Sequence, residues 1–216
     1  VLANLFTVGA LISSLVYIAT LNTANDRLRY VLKPLTTALI AGIALSIPTP
    51  VSDFYRWLIV IGLVWSLAGD VFLMLPDDRP FAFVFGLASF LVAHLFYIGA
   101  YRTRGDFGFT WWLALPYLAY VVTLLYLLWP QIGSLRIPVI VYGAVLGVMG
   151  WQAAEVWLRW ADLSALAAMV GAVLFILSDS TLALNKFRGP IPQSSVVVMS
   201  TYWAAQLLLA WSVRAS

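Results

Sequence analysis

The sequence holds no cysteine. Disulfides, thiolate nucleophiles and cysteine-based metal sites are thereby excluded. Charge is nearly as scarce: Lys, Arg, Asp and Glu make up 10% of the 216 residues, and there is a single histidine. The small net charge of +3 comes from scattered basic residues. No basic run is present of the kind that follows a nucleic-acid backbone, so no nucleic-acid partner is expected. With one histidine and no Gly-x-Ser-x-Gly elbow, a Ser-His-Asp triad has little to build on. No basic n-region or small-residue cleavage site marks a removable leader, so the first apolar run reads as a spanning helix. What the chain has in abundance is apolar surface. Hydrophobic residues are 63% of it, the composition of a polytopic helical membrane protein rather than of a soluble domain.

Eight apolar runs are long enough, or nearly so, to span a bilayer. Helices are expected at about 2–21, 30–47, 55–75, 81–101, 111–129, 136–158, 163–184 and 194–213. The expected fold class is therefore all-α, a single eight-helix transmembrane domain over 1–216. Pro48 and Pro50 stop the second helix. The proline-flanked stretch 76–80 turns the third into the fourth. Pro34 is expected in the first turn of the second helix, where a proline is tolerated. Tyr55, Trp57, Trp111, Trp112, Trp129, Trp157 and Trp160 fall near span ends, as an interfacial belt should. Eight spans put both termini on one side. The loops 1–2, 3–4, 5–6 and 7–8 carry seven basic residues against five on the other face, which favours termini outside by a narrow margin.

Two of these apolar runs contain an aspartate, Asp70 and Asp179. An aspartate at the centre of a spanning helix costs about 2.5–3.5 kcal/mol to insert. Such residues face a bundle interior or a water-filled cavity and mark function by default. A structural role is the alternative, each acid bonding across a helix interface to a Ser, Thr or Tyr. The two acids are 109 residues apart, close to half the chain, and both read Asp-x-x-Leu-x-Leu. Ala93-His94-Leu95 resembles Ala205-Gln206-Leu207, and Lys33-Pro34 is echoed by Arg136-Ile137-Pro138. These echoes point to two parallel four-helix repeats, 1–108 and 109–216, whose interface would hold the site.

The expected third and seventh helices run the same way. Each acid lies five residues before the expected end of its helix, about 7–8 Å below one surface. Lys33 and Asn185 lie at that face. His94 is expected about 20 Å down, well below both acids, with Tyr97 one turn further and Gln206 at a similar depth. Glu155 falls near the opposite face. The expected shape is a polar cleft open at one surface, with a chain-length apolar pocket beneath it, suited to an amphiphile.

Two carboxylates in unlike surroundings can divide acid and base roles, as reactions through an oxocarbenium-like cation require. Lys33 is a candidate cation for one of them. A metal site from Asp70, Asp179, His94 and Glu155 is conceivable by ligand type, but no close-spaced ligand motif such as His-x-x-x-His is present. The reading carries no metal and no cofactor.

The sequence also resembles the YhhN family of integral membrane proteins, which includes the lysoplasmalogenases. The matching stretches begin with Lys33-Pro34-Leu35 and the run from Ser66 to Met74 around Asp70. They continue with Phe85-Gly86-Leu87-Ala88-Ser89-Phe90 and Ala93-His94-Leu95-Phe96-Tyr97. In the second half they are Gly171-Ala172, the run Phe175-Ile176-Leu177-Ser178-Asp179-Ser180, and Tyr202 with Ala205-Gln206. The resemblance implies eight helices and hydrolysis of the vinyl-ether bond of a lysoplasmalogen to a fatty aldehyde and a glycerophospho-alcohol. On this reading Asp70 and Asp179 are catalytic, with neither role assigned. Lys33, His94, Tyr97, Ser178, Asn185, Tyr202 and Gln206 bind the lysophospholipid. The expected location is the bacterial cytoplasmic (inner) membrane. Hydrolysis of another lyso-lipid is an alternative, and a small transporter or lipid-binding protein is the rival class.

Overall fold

The computed structural model describes residues 1–21, 23, 26–75, 79, 81–105 and 109–215. Eight helices follow one another: α1 (Leu2–Thr20), α2 (Asp26–Ser46), α3 (Asp53–Leu73), α4 (Ala82–Arg102), α5 (Trp111–Leu128), α6 (Arg136–Trp160), α7 (Leu163–Phe187) and α8 (Ser194–Trp211). A single 3₁₀ turn at Gly133–Leu135 leads into α6. All eight are long and apolar enough to cross a membrane. The protein is an integral membrane protein. Their lipid-facing apolar side chains need no cover, because lipid tails are as apolar as leucine.

Helix α2 departs furthest from the sequence expectation, starting four residues early. Asp26 sits in its first turn, where a carboxylate complements the helix dipole, and pairs with Arg29 one turn on. Pro34 is therefore inside the helix rather than in its first turn. Lys33 leaves the loop with it and becomes a buried helical residue. Tyr55 is also not an interfacial anchor. It is fully buried, and its hydroxyl meets the Ser212 hydroxyl at 2.8 Å. Trp57, Trp111, Trp112, Trp129 and Trp160 are exposed, as belt residues are. The 76–80 turn lies largely outside the described residues, which include only Arg79 of that stretch.

Helices α3 and α4 pack most closely. A Cβ at Gly62 would fall 2.3 Å from the Tyr97 ring, and one at Gly69 would fall 2.6 Å from the Phe90 ring. Only glycine lets those two rings lie against the α3 backbone. Helix α2 packs on α3 and α8, and α6 packs on α7 and α4. Each half thus sends its fourth helix against the second helix of the other half. The remaining pair, α7 and α8, packs as α3 and α4 do.

The two membrane faces differ. At the face where α1 begins and α8 ends, polar groups are locked together. Asp162 caps α7, accepting from Ala165 N–H at 2.7 Å, and pairs with Arg104 at 2.7 Å. Arg104 also donates to Ser164, which donates in turn to the Ser212 carbonyl. The segment after α8 pairs with the α2–α3 turn, with Val51 N–H on Val213 and Ala215 N–H on Thr49. Glu155 lies at this face too. It accepts from the Thr110 N–H and hydroxyl and from the Trp151 indole, tying the start of α5 to α6. At the other face the described residues leave a cavity between the helices.

Candidate active site

A cavity of about 760 Å³ opens at the face where α3 and α7 end and α2, α4 and α8 begin. Asp70 and Asp179 both line it. Of the expected binding residues, Lys33, Ser178, Asn185 and Tyr202 line it as well.

The acids lie at unlike distances from the ends of their own helices, where the sequence suggested equal ones. Helix α3 ends at Leu73, three residues past Asp70, whereas α7 runs eight residues beyond Asp179. That places their backbones about 4–5 Å and about 12 Å below the helix ends.

Asp70 is the more enclosed, with 1% of its side chain exposed. The Lys33 ammonium is 3.5 Å from one carboxylate oxygen. The other oxygen accepts from the Thr37 hydroxyl at 2.7 Å and the Tyr202 hydroxyl at 2.8 Å. Three helices, α2, α3 and α8, supply this set. A cation and two donors are what a buried carboxylate needs to remain charged.

Asp179 is more open, at 11%. It accepts a hydrogen bond from the Tyr142 hydroxyl of α6. Its nearest basic group is His94, whose Nε2 is 3.9 Å away, too far for a hydrogen bond. Neither ring nitrogen of His94 has a hydrogen-bond partner among the described residues. The ring is held by edge contacts with Phe175 and Tyr142.

His94 is thus not well below both acids. Side chains lean toward the N-terminus of their own helix. Helix α4 begins at the cavity face and α7 ends at it, so His94 leans up while Asp179 leans down, and the two converge. Tyr97 and Gln206 do lie deeper and do not line the cavity. The Tyr97 hydroxyl donates to Gln206 Oε1 at 2.8 Å and meets Ser66 at 3.2 Å, forming a buried polar floor. Asn185 lines the wall, but its side-chain oxygen accepts from the Ile191 N–H and shapes the α7–α8 turn. Ser178 donates to the Val198 carbonyl at 3.1 Å.

The sequence reading missed Thr37, Tyr142 and the rim cations Arg79 and Lys186. Thr37 lies one turn from Lys33, so its position on the same helix face was available. Tyr142 lies 109 residues after Lys33, the same separation as between the acids. No expected metal-ligand set assembles. Among the described residues no three His, Asp or Glu side chains converge, and Glu155 is at the far face.

The apolar space also differs from expectation. It lies beside Asp179 rather than below the acids, as a slot of about 50 Å³ between α4, α5, α6 and α7. Leu73, Phe83, Phe90, Asp179 and Leu182 line both the slot and the polar cavity, so the two adjoin across these side chains.

Comparison with known proteins gives this geometry a context. The chain is 43% identical over 163 residues to the human protein named lysoplasmalogenase TMEM86A and 41% identical over 162 residues to its bovine counterpart. Each match covers 71% of this chain and 64% of the relative, so the match spans a little under two thirds of those proteins' length. The membrane protein YhhN of Escherichia coli O157:H7 is 29% identical over 185 residues, 86% of each chain. No solved structure matches. The sequence profile of the YhhN family matches residues 28–213. That match takes in both aspartates and every helix of the bundle but α1, and the chain belongs to the YhhN family.

Proposed function

We propose that this protein is a lysoplasmalogenase, cleaving the vinyl-ether bond of a lysoplasmalogen with Asp179 as proton donor and Asp70 as the charged partner. The observation that carries the reading is one cavity lined by two aspartates with opposite provisions: one with a cation and two donors, the other with a single donor and no fixed cation. The names of the mammalian relatives support the substrate class. A cationic rim and an adjoining apolar slot suit a lipid with one chain and a phosphate.

Protonation of the vinyl ether at the carbon β to oxygen by Asp179 gives an oxocarbenium ion, which the Asp70 carboxylate stabilises. Water adds to the cationic carbon and its proton passes to a carboxylate. The hemiacetal then collapses to the fatty aldehyde and the glycerol hydroxyl. The proton used first is regained, and one water is consumed. Tyr142 and His94 position Asp179; Thr37 and Tyr202 position Asp70. Lys33 is engaged with Asp70, so the phosphate contact moves to Arg79 and Lys186 at the rim. Ser178 and Asn185 line the head-group space. Tyr97 and Gln206 support the floor rather than touch substrate.

Two four-helix repeats, 1–108 and 109–216, accompany this reading. The swapped packing of α4 on α6 and α8 on α2 supports them, as does the shared spacing of Lys33 with Tyr142 and Asp70 with Asp179. The bacterial cytoplasmic (inner) membrane is the proposed location, supported by the E. coli relative. The buried Ser66–Tyr97–Gln206 floor leaves little to favour a transporter.

The test is mass spectrometry of purified protein in lipid with a lyso-alkenyl phospholipid and, in parallel, its acyl counterpart. Aldehyde from the alkenyl lipid, lost in Asp70→Asn and in Asp179→Asn, is expected. Fatty acid from the acyl lipid alone would change the reaction to ester hydrolysis. No product from either would overturn the enzyme reading for these lipids.

A further inference from the structure

The two peripheral helices are held differently. Helix α1 packs on α2 and reaches α8, where the Trp211 indole donates to Thr7 at 3.2 Å and the Tyr17 and Trp203 rings meet edge-on. Helix α5 packs on α6 and, to a small extent, on α7, and its backbone does not closely approach that of α4. Mid-helix it is seated on α6, with Tyr117 in the notch at Gly150 and Val121 in the notch at Gly147. Its C-terminal end, with Leu128, joins Ile132 and Val139 in a small apolar cluster separate from the main core. Pro116 interrupts its backbone hydrogen bonding just before Tyr117. The unpaired seam between α4 and α5 is where the apolar slot lies, walled by Phe83 and Leu87 on one side and Tyr120 and Leu124 on the other. All four are partly exposed. The slot reaches Asp179 at its inner end.

We propose that the α4–α5 seam is the lateral portal through which the single hydrocarbon chain of a lyso-lipid reaches Asp179 from the bilayer, α5 yielding to admit it. The proposal rests on the lipid reading of the cavity. Three observations select this occupant. The slot adjoins the polar cavity across shared wall residues, so a molecule occupying both has an apolar chain joined to a polar head. The seam faces lipid, because both helices span the membrane. The slot is narrow, about 50 Å³, so a chain is accommodated only as α5 moves, and α5 is the helix with the weakest attachment to the core. A vinyl ether lies at the junction of chain and head, and Asp179 lies at the junction of slot and cavity.

The probe is an uncleavable 1-O-alkyl lysophosphatidylcholine carrying a diazirine at the chain end. It is photolysed with the protein in nanodiscs, with and without excess unlabelled alkyl lyso-lipid, and adducts are mapped by mass spectrometry. Adducts on Phe83, Leu87, Tyr120 or Leu124 that the competitor removes are expected. Leu124→Trp should cut them at least tenfold, whereas Leu95→Trp, on the exposed face of α4 outside the slot, should leave them unchanged. Competed adducts elsewhere, such as the α1–α8 seam, would overturn the portal while sparing the lipid reading. So would equal effects, or none, from the two tryptophans. No competed adduct anywhere would overturn both. The probe reports binding without turnover, so failure of vinyl-ether cleavage leaves this test intact.

Discussion

Asp70 and Asp179 occupy corresponding places in the two halves of the chain, yet their neighbours are opposite in kind. Lys33 of α2 faces Asp70; Tyr142, 109 residues later on α6, faces Asp179. A cation beside one acid and a phenol beside the other turns a like pair into an unlike one. Acid catalysis through a cation needs that difference, because one group must give a proton while the other keeps its charge. Two equally provided carboxylates would compete for the same role.

The sharpest way to break the comparison is to neutralise each acid in turn. Asp179→Asn should lower aldehyde release by about 10²–10⁴-fold, the range for a general acid, with little change in thermal stability. Asp70→Asn should abolish turnover as well, but it also strands the Lys33 ammonium. Breaking a buried pair costs about 3–5 kcal/mol, so melting in nanodiscs should show a clear loss for this variant alone. Adding Lys33→Met should restore the melting temperature and leave turnover absent. Equal stability of the two single variants would mean that the acids are not differently held.

Smaller changes sharpen the contrast. Tyr142→Phe removes the one hydroxyl bonded to Asp179 and should reduce kcat by about 10–100-fold, matching about 1.5–3 kcal/mol for a hydrogen bond to the carboxylate that Asp179 becomes as it gives up its proton. Thr37→Val leaves Asp70 with Lys33 and Tyr202 and should have a lesser effect. A larger loss from Thr37→Val would reverse the assignment of roles.

The smallest effect on turnover belongs to the closed face. Asp162→Ala removes the α7 cap, worth about 1 kcal/mol, and the partner of the buried Arg104, so it should lower the melting temperature and leave kcat unchanged. Burial raises the Asp162 carboxyl, but the Ala165 N–H and the Arg104 guanidinium outweigh it and hold it below the usual carboxylate range. Its contribution is therefore complete above the ordinary aspartate value near 3.8 and fades as pH falls through the lowered one. A melting series in acid should show the gap between wild type and Asp162→Ala closing downward in pH.

Much of the architecture was legible because spanning a bilayer demands about twenty apolar residues in a row, which no folding detail can disguise. The eight spans and the two aspartates as singular features follow from that alone. The start of α2 was missed because its first turn, Asp26–Arg29, is polar, and helix formation there rests on charge placement rather than on an apolar run. Sequence also identified Lys33 and Tyr202 as belonging with the acids, but it did not say which acid either would meet.

Tertiary structure alone decided who meets whom. The expected depths counted residues along helices, whereas contact depends on where each helix ends and which way its side chains lean. His94 and Asp179 meet because their helices run in opposite directions. Tyr142 reaches Asp179, and Thr37 reaches Asp70, across helix pairs whose packing no linear pattern records. The apolar slot is set by a close approach that α5 does not make to α4, a property of the bundle rather than of any segment. The sequence determined a membrane bundle with two costly acids, because transfer into lipid is scored residue by residue. The surroundings that set those acids apart came from the packing, because a carboxylate's surroundings are built from helices distant in the chain.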